Sequence, residues 1–80
     1  MDNKIAVVAI IVSDVSAVES VNSTLHDFRD YVIGRQGIPY KQKNVNVISV
    51  VMDAPQETIN SLSGKLGMIN GVSSKVLTTK

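Results

Sequence analysis

Residues Ile5-Ala6-Val7-Val8-Ala9-Ile10-Ile11-Val12 form an unbroken run of eight apolar side chains. The run has the length of one β-strand and falls far short of the roughly 18–20 residues that cross a bilayer as a helix. A strand turns successive side chains to opposite faces. Ile5, Val7, Ala9 and Ile11 therefore share one face, and Ala6, Val8, Ile10 and Val12 the other. Both faces of this strand favour a dry environment. A chain of 80 residues has little material to cover both faces of a sheet. A second chain is expected to cover one of them.

The rest of the composition narrows the chemistry. The hydrophobic fraction is 44%, with two tyrosines, one phenylalanine and no tryptophan, so the core is aliphatic. That suits one small domain over residues 1–80, thin for an isolated monomer and helped by oligomerisation. There are no cysteines, which excludes disulfides, zinc–thiolate sites, iron–sulfur ligation and thiol nucleophiles within the chain. The net charge of +1 gives no general pull toward nucleic acid or anionic membrane. Asp2 stands where a signal peptide would be basic, and no small-residue cleavage pattern follows the apolar run. A soluble, cytoplasmic protein is expected, with no membrane partner and no direct nucleic-acid binding.

Along the chain, residues 4–12 read as the first strand. Ser13-Asp14-Val15-Ser16 offers helix-start chemistry, with Ser16 or Asp14 as N-cap, and Ser16 with Glu19 fits a capping box. Val18, Val21, Leu25 and Phe28 then recur at helical spacing, so a first helix is expected over about residues 16–29. Residues 31–40 begin β-branched and aromatic but contain Gly34, Gly37 and Pro39, the signature of an irregular edge strand. Lys41-Gln42-Lys43-Asn44 reads as the turn, and Val45 to Met52 as a central strand. Asp53-Ala54-Pro55 signals helix entry, with Asp53 and Glu57 complementing the dipole. Ile59, Leu62, Leu66 and Ile69 form the second stripe, Gly67 and Gly71 are stop candidates, and Val72 to Thr79 is a last, more polar strand.

The order β-α-β-β-α-β folds most simply as an α+β, ferredoxin-like unit. That is a four-stranded antiparallel sheet with both helices on one face, strands one and three central and strands two and four at the edges. The two most apolar runs are the expected centres, and the broken and polar runs the expected edges. The face away from the helices would then carry Ile, Val and Ala from strand one. Strand three would add either Val45, Val47 and Val51 or Ile48, Val50 and Met52. Side chains of this kind contribute about 1.5–3 kcal/mol each on full burial. Covering by another copy, as a dimer or tetramer, is the expected outcome.

No constellation of residues announces catalysis. His26 is the only histidine, placed off the apolar stripe. It is a weak metal candidate, and Asp27 or Asp30 beside it would be the acid/base partners of an enzymatic reading. An ordinary surface or interface histidine is the simpler reading. Leu62-Ser63-Gly64-Lys65-Leu66-Gly67 lies inside a helix, whereas a phosphate-cradling loop follows a strand and opens one. Ser61, Gly64 and Met68 make an outward strip that suits either the close approach of a chain or ligand or a weakly formed last turn. Arg35, Lys41 and Lys43 suggest a basic rim at a solvated hairpin tip, without the aromatics of a nucleic-acid surface.

Several segments together carry a resemblance. They are Leu25-His26-Asp27-Phe28, Gly34-Arg35-Gln36-Gly37-Ile38-Pro39, Thr58 through Gly67, and Gly71-Val72. With them the chain resembles the small ACT-like regulators of iron-only hydrogenase systems over nearly its whole length. The resemblance implies a regulatory, non-enzymatic fold that forms oligomers and binds a small effector where subunits meet. Candidate ligand or interface residues are then Ser13, Asp14 and Ser16 on the first loop and Ser61, Gly64 and Met68 on the second helix. No particular cofactor follows. The chain is also similar in layout to the sensing domain of nickel-responsive repressors but departs from the several histidines and the cysteine of their metal site. Direct repression would call for a separate DNA-binding partner. The alternative function is a protein–protein assembly module without a small ligand.

Overall fold

The structure, a computed structural model, describes residues 2–79. Strand β1 covers Asn3–Val12, helix α1 Val18–Asp27, strand β2 Val32–Tyr40, strand β3 Val45–Pro55, helix α2 Gln56–Gly67 and strand β4 Val72–Thr78. The strands form one antiparallel sheet in the order β2-β3-β1-β4. The two most apolar strands are the central pair, and the architecture is ferredoxin-like.

Alternation decides where the core lies. Ala6, Val8, Ile10 and Val12 of β1 are buried against the helices, together with Ile48, Val50, Met52 and Ala54 of β3. Val21, Leu25 and Phe28 meet them from the α1 side, and Ile59, Leu62 and Leu66 from α2. Among the described residues the core contains no buried polar or charged side chain. The Lys65 ammonium sits 5.4 Å from the centre of the Phe28 ring, a cation–π contact joining α2 to the end of the α1 stripe.

Three details differ from the sequence reading. Helix α1 is shorter than residues 16–29, because single 3₁₀ turns at Val15–Ala17 and Arg29–Tyr31 take up its two ends. The Ser16–Glu19 capping box does not form; Asp14 caps the first turn, and the Ser16 hydroxyl is spent on Asp14. Asp53-Ala54-Pro55 continues β3 instead of opening α2. Ala54 is buried in the core and Asp53 pairs opposite Ile5, so Glu57 alone is the acid in the first helical turn.

The second face of the sheet carries the other parity. Val7 pairs with Val51 on one side and Leu77 on the other; Ile11 pairs with Val47 and Ser73. Of the two phases open to strand three, the Val45, Val47 and Val51 set faces away from the helices. Between these rows lies a row of small and polar residues, Gln36, Ser49, Ala9 and Lys75. Ile5, Val7, Ile11 and Val47 remain 37–46% exposed although they sit in the middle two strands. Nothing among the described residues covers this face.

Strand β2 is an edge along its whole length, and all but its first residue are exposed. Its pairing with β3 slips by one residue between Val32 and Gly34, a β-bulge at Ile33. The β2–β3 hairpin then turns through Lys41–Lys43 and Asn44, whose φ of 54° places it in the left-handed region that asparagine tolerates.

Candidate functional site

Two concave regions carry most of the polar chemistry. The first lies at the end of the sheet where β1 runs out beside the β2–β3 hairpin. It is an open groove of 590 Å³ whose wall includes Ser13, Asp14, Tyr40, Lys41, Asn44 and Asn46. Antiparallel pairing builds it: Val12 lies opposite Asn46, and Pro39 opposite the same residue from the far side. The next residues of β1, Ser13 and Asp14, are thereby delivered to the hairpin.

Asp14 is held in place from two directions. The Ser16 hydroxyl donates to its Oδ1 at 2.8 Å and the Ser16 backbone N–H donates at 3.0 Å. Both bonds favour the ionised carboxylate, the hydroxyl contributing more, and they hold Asp14 below the ordinary carboxylate range. Behind it lies the turn into β4. The Ser13 N–H and hydroxyl donate to the Gly71 carbonyl at 2.8 and 3.1 Å. Gly71 has φ of +81°, and a Cβ there would lie 2.5 Å from the Asp14 Cβ. Only glycine lets the two turns approach this closely.

Of the candidate residues read from sequence, the groove unites Ser13 and Asp14, with Ser16 bonded directly behind. Ser61, Gly64 and Met68 do not join it. They lie on the exposed side of α2 and just beyond its end, with Met68 85% exposed.

The second concave region lies between α1 and β2, a cleft of 280 Å³. Here the structure divides the basic rim suggested by sequence. Lys41 and Lys43 stay in the hairpin turn. Arg35 pairs opposite Val50 on the helix side of the sheet and joins Asn22, His26 and Arg29. Sequence reasoning missed Arg29 and Asn22. A signal was present, since Asn22, His26 and Arg29 are spaced four and three apart and so share one helix face. The bulge hid the parity that brings Arg35 to them. His26 is exposed and has arginines rather than acids as its polar neighbours in the cleft. Among the described residues no three His, Cys, Asp or Glu side chains gather closely enough to hold a metal ion. No helix among the described residues is long and apolar enough to cross a membrane.

The topology, with the β1–α1 and β2–β3 turns at one end of an open sheet, defines a small ferredoxin-like α+β protein. The model of the TM1266-like family, described as "Iron-only hydrogenase system regulator, putative", matches residues 4–76, and the chain belongs to that family. The solved structure of the uncharacterized protein TM1266 from Thermotoga maritima is similar at a TM-score of 0.94 and 34% identity, over 99% of this chain and 100% of that one. A formyltetrahydrofolate deformylase from Pseudomonas putida KT2440 shares the fold over 92% of this chain and 28% of its own, with a TM-score of 0.60 and 18% identity. So does the de novo designed protein Foldit4, over 99% of this chain and 98% of that one, with a TM-score of 0.59 and 17% identity. No curated protein matches the chain.

Proposed function

We propose that this chain is a non-enzymatic regulatory module that acts as a homo-oligomer and responds to a small molecule. The family description supports regulation of an iron-only hydrogenase system as its context. The observation that carries the proposal is the uncovered sheet face. Ile5, Val7, Ile11, Val47 and Leu77 all lie on it, each at least 37% exposed. Removing such area from water contributes about 25 cal/mol per Å², and exposed apolar side chains gathered on one face mark an interaction site. A second copy meets it with the same complement of side chains, as a two-fold assembly requires. The groove at Ser13 and Asp14 is the region we assign to the effector, and the cytoplasm is the compartment that fits a cysteine-free chain.

Sedimentation velocity at micromolar concentration tests the assembly. The expected species is a multiple of the 8.6 kDa protomer. Val7→Lys, which places a charge in the middle of the face, is expected to return it to the protomer with an unchanged circular dichroism spectrum. A wild-type protomer at this concentration overturns the reading. Thermal-shift measurements with metabolites, amino acids and metals then test sensing, because a ligand that binds the folded state raises the melting temperature with concentration. An oligomer that no ligand stabilises, but that retains one specific protein, is instead an assembly module without a small ligand.

A further inference from the structure

The cleft between α1 and β2 has an apolar floor of Leu25, Val32 and Val50 and a polar wall of Asn22, His26, Arg29 and Arg35. Among the described residues no carboxylate lines it. Both guanidiniums are anchored by neutral oxygens. Arg29 Nη1 donates to the His26 carbonyl at 3.0 Å, and Arg35 Nη2 donates to Asn22 Oδ1 at 3.0 Å. A guanidinium carries five N–H donors, so one bond each leaves most of them free. With its oxygen accepting from Arg35, the Asn22 amide has its N–H pair left to donate, and the His26 ring adds a further donor. The wall is therefore rich in donors and cationic in a chain whose net charge is only +1.

Such an arrangement has one complement. The planar fork of arginine matches the paired oxygens of a carboxylate or a phosphate. Bonds that hold the side chains before a ligand arrives reduce the ordering cost of binding. We propose that this cleft binds a small oxyanion, carboxylate or phosphoryl, through Arg29 and Arg35, with Asn22 and His26 donating beside them. The volume of 280 Å³ suits a small molecule. A polyanion would follow a continuous track of cations, whereas Lys41 and Lys43 stand apart in the hairpin turn.

The test is a nuclear magnetic resonance titration of the full chain with inorganic phosphate and, separately, with malonate, each against potassium chloride at matched ionic strength. Saturable shifts confined to residues 22–35 and to β3 around Val50 are expected with one or both oxyanions, and the stronger arm identifies the headgroup. Arg35→Gln is expected to weaken the affinity about tenfold or more without altering the circular dichroism spectrum. Arg29→Lys keeps the charge but loses the fork, so it is expected to weaken binding too. It serves as the reading if Arg35→Gln does not fold. Shifts no larger than those with chloride, shifts located at Ser13, Asp14 and the hairpin residues Tyr40, Lys41 and Asn44 instead, or wild-type affinity in these variants overturn the proposal.

Discussion

Gly71 is the residue with the least latitude. Its backbone lies in the left-handed region, and the space a side chain would enter is held by Asp14 Cβ, an atom fixed to the neighbouring backbone. Gly71→Ala therefore combines a backbone cost of about 1–2 kcal/mol with a collision that only movement of the β1–α1 loop relieves. Urea denaturation is expected to show a loss of about 2 kcal/mol or more. Gly37→Ala serves as the contrast, since a Cβ there meets nothing within 4 Å. Gly71→Ala also displaces Ser13 and Asp14, so any ligand held in the groove is expected to bind less well to Gly71→Ala than to Gly37→Ala.

Among the elements, α2 leaves a question that one substitution answers. Gly64 sits inside the helix, on its exposed side, and a Cβ there meets nothing within 4 Å. In the protomer alone, Gly64→Ala is expected to stabilise by about 1 kcal/mol, the helix-propensity difference between the two residues. Thermal unfolding reads the sign. A loss of stability instead would mean that another chain packs closely against Ser61 and Gly64. The helices and strands themselves were largely legible from periodicity, because β1 and β3 bury one full parity and α1 and α2 one stripe each. Their ends were not. Asp14, one of the two N-caps read from sequence, caps the first turn without the expected Ser16–Glu19 capping box, and Ala54 draws the end of β3 into the core past the expected helix start. The first is a contact over two residues, with Ser16; the second depends on a neighbour distant in sequence, since Ala54 pairs opposite Lys4 of β1.

At the scale of the molecule, the helices bury one side of the sheet and leave the other with two apolar rows flanking a small and polar one. That division was readable from the sequence: an eight-residue run with no polar parity, in a chain with only two helical stripes, leaves one side uncovered. The candidate site was less legible. Ser13 and Asp14 belong to a groove, but its other wall is the hairpin, brought near by strand pairing and not by any local motif. The cleft at Arg35 depends on a bulge that no spacing announces. If folding and association are coupled as proposed, the melting temperature is expected to rise with protein concentration over a hundredfold dilution series, as mass action requires. In Val7→Lys that dependence is expected to vanish.

The bulge at Ile33 also determines what a change of chain length can do. Val32 and Arg35 are three apart, an odd interval, yet both face the helices, because the pairing runs Val32–Met52, Gly34–Val51, Arg35–Val50. Ile33 is the surplus residue, so losing its codon leaves every one of those pairs intact. Losing a codon two or three places further on reverses the facing of the rest of the strand, turning Ile38 toward α1 and Pro39 toward the open side. Shortening β2 at the bulge therefore keeps Val32 and Arg35 together on the cleft side, whereas a deletion beyond Arg35 leaves the cleft's wall in place and turns over the hairpin end of the strand.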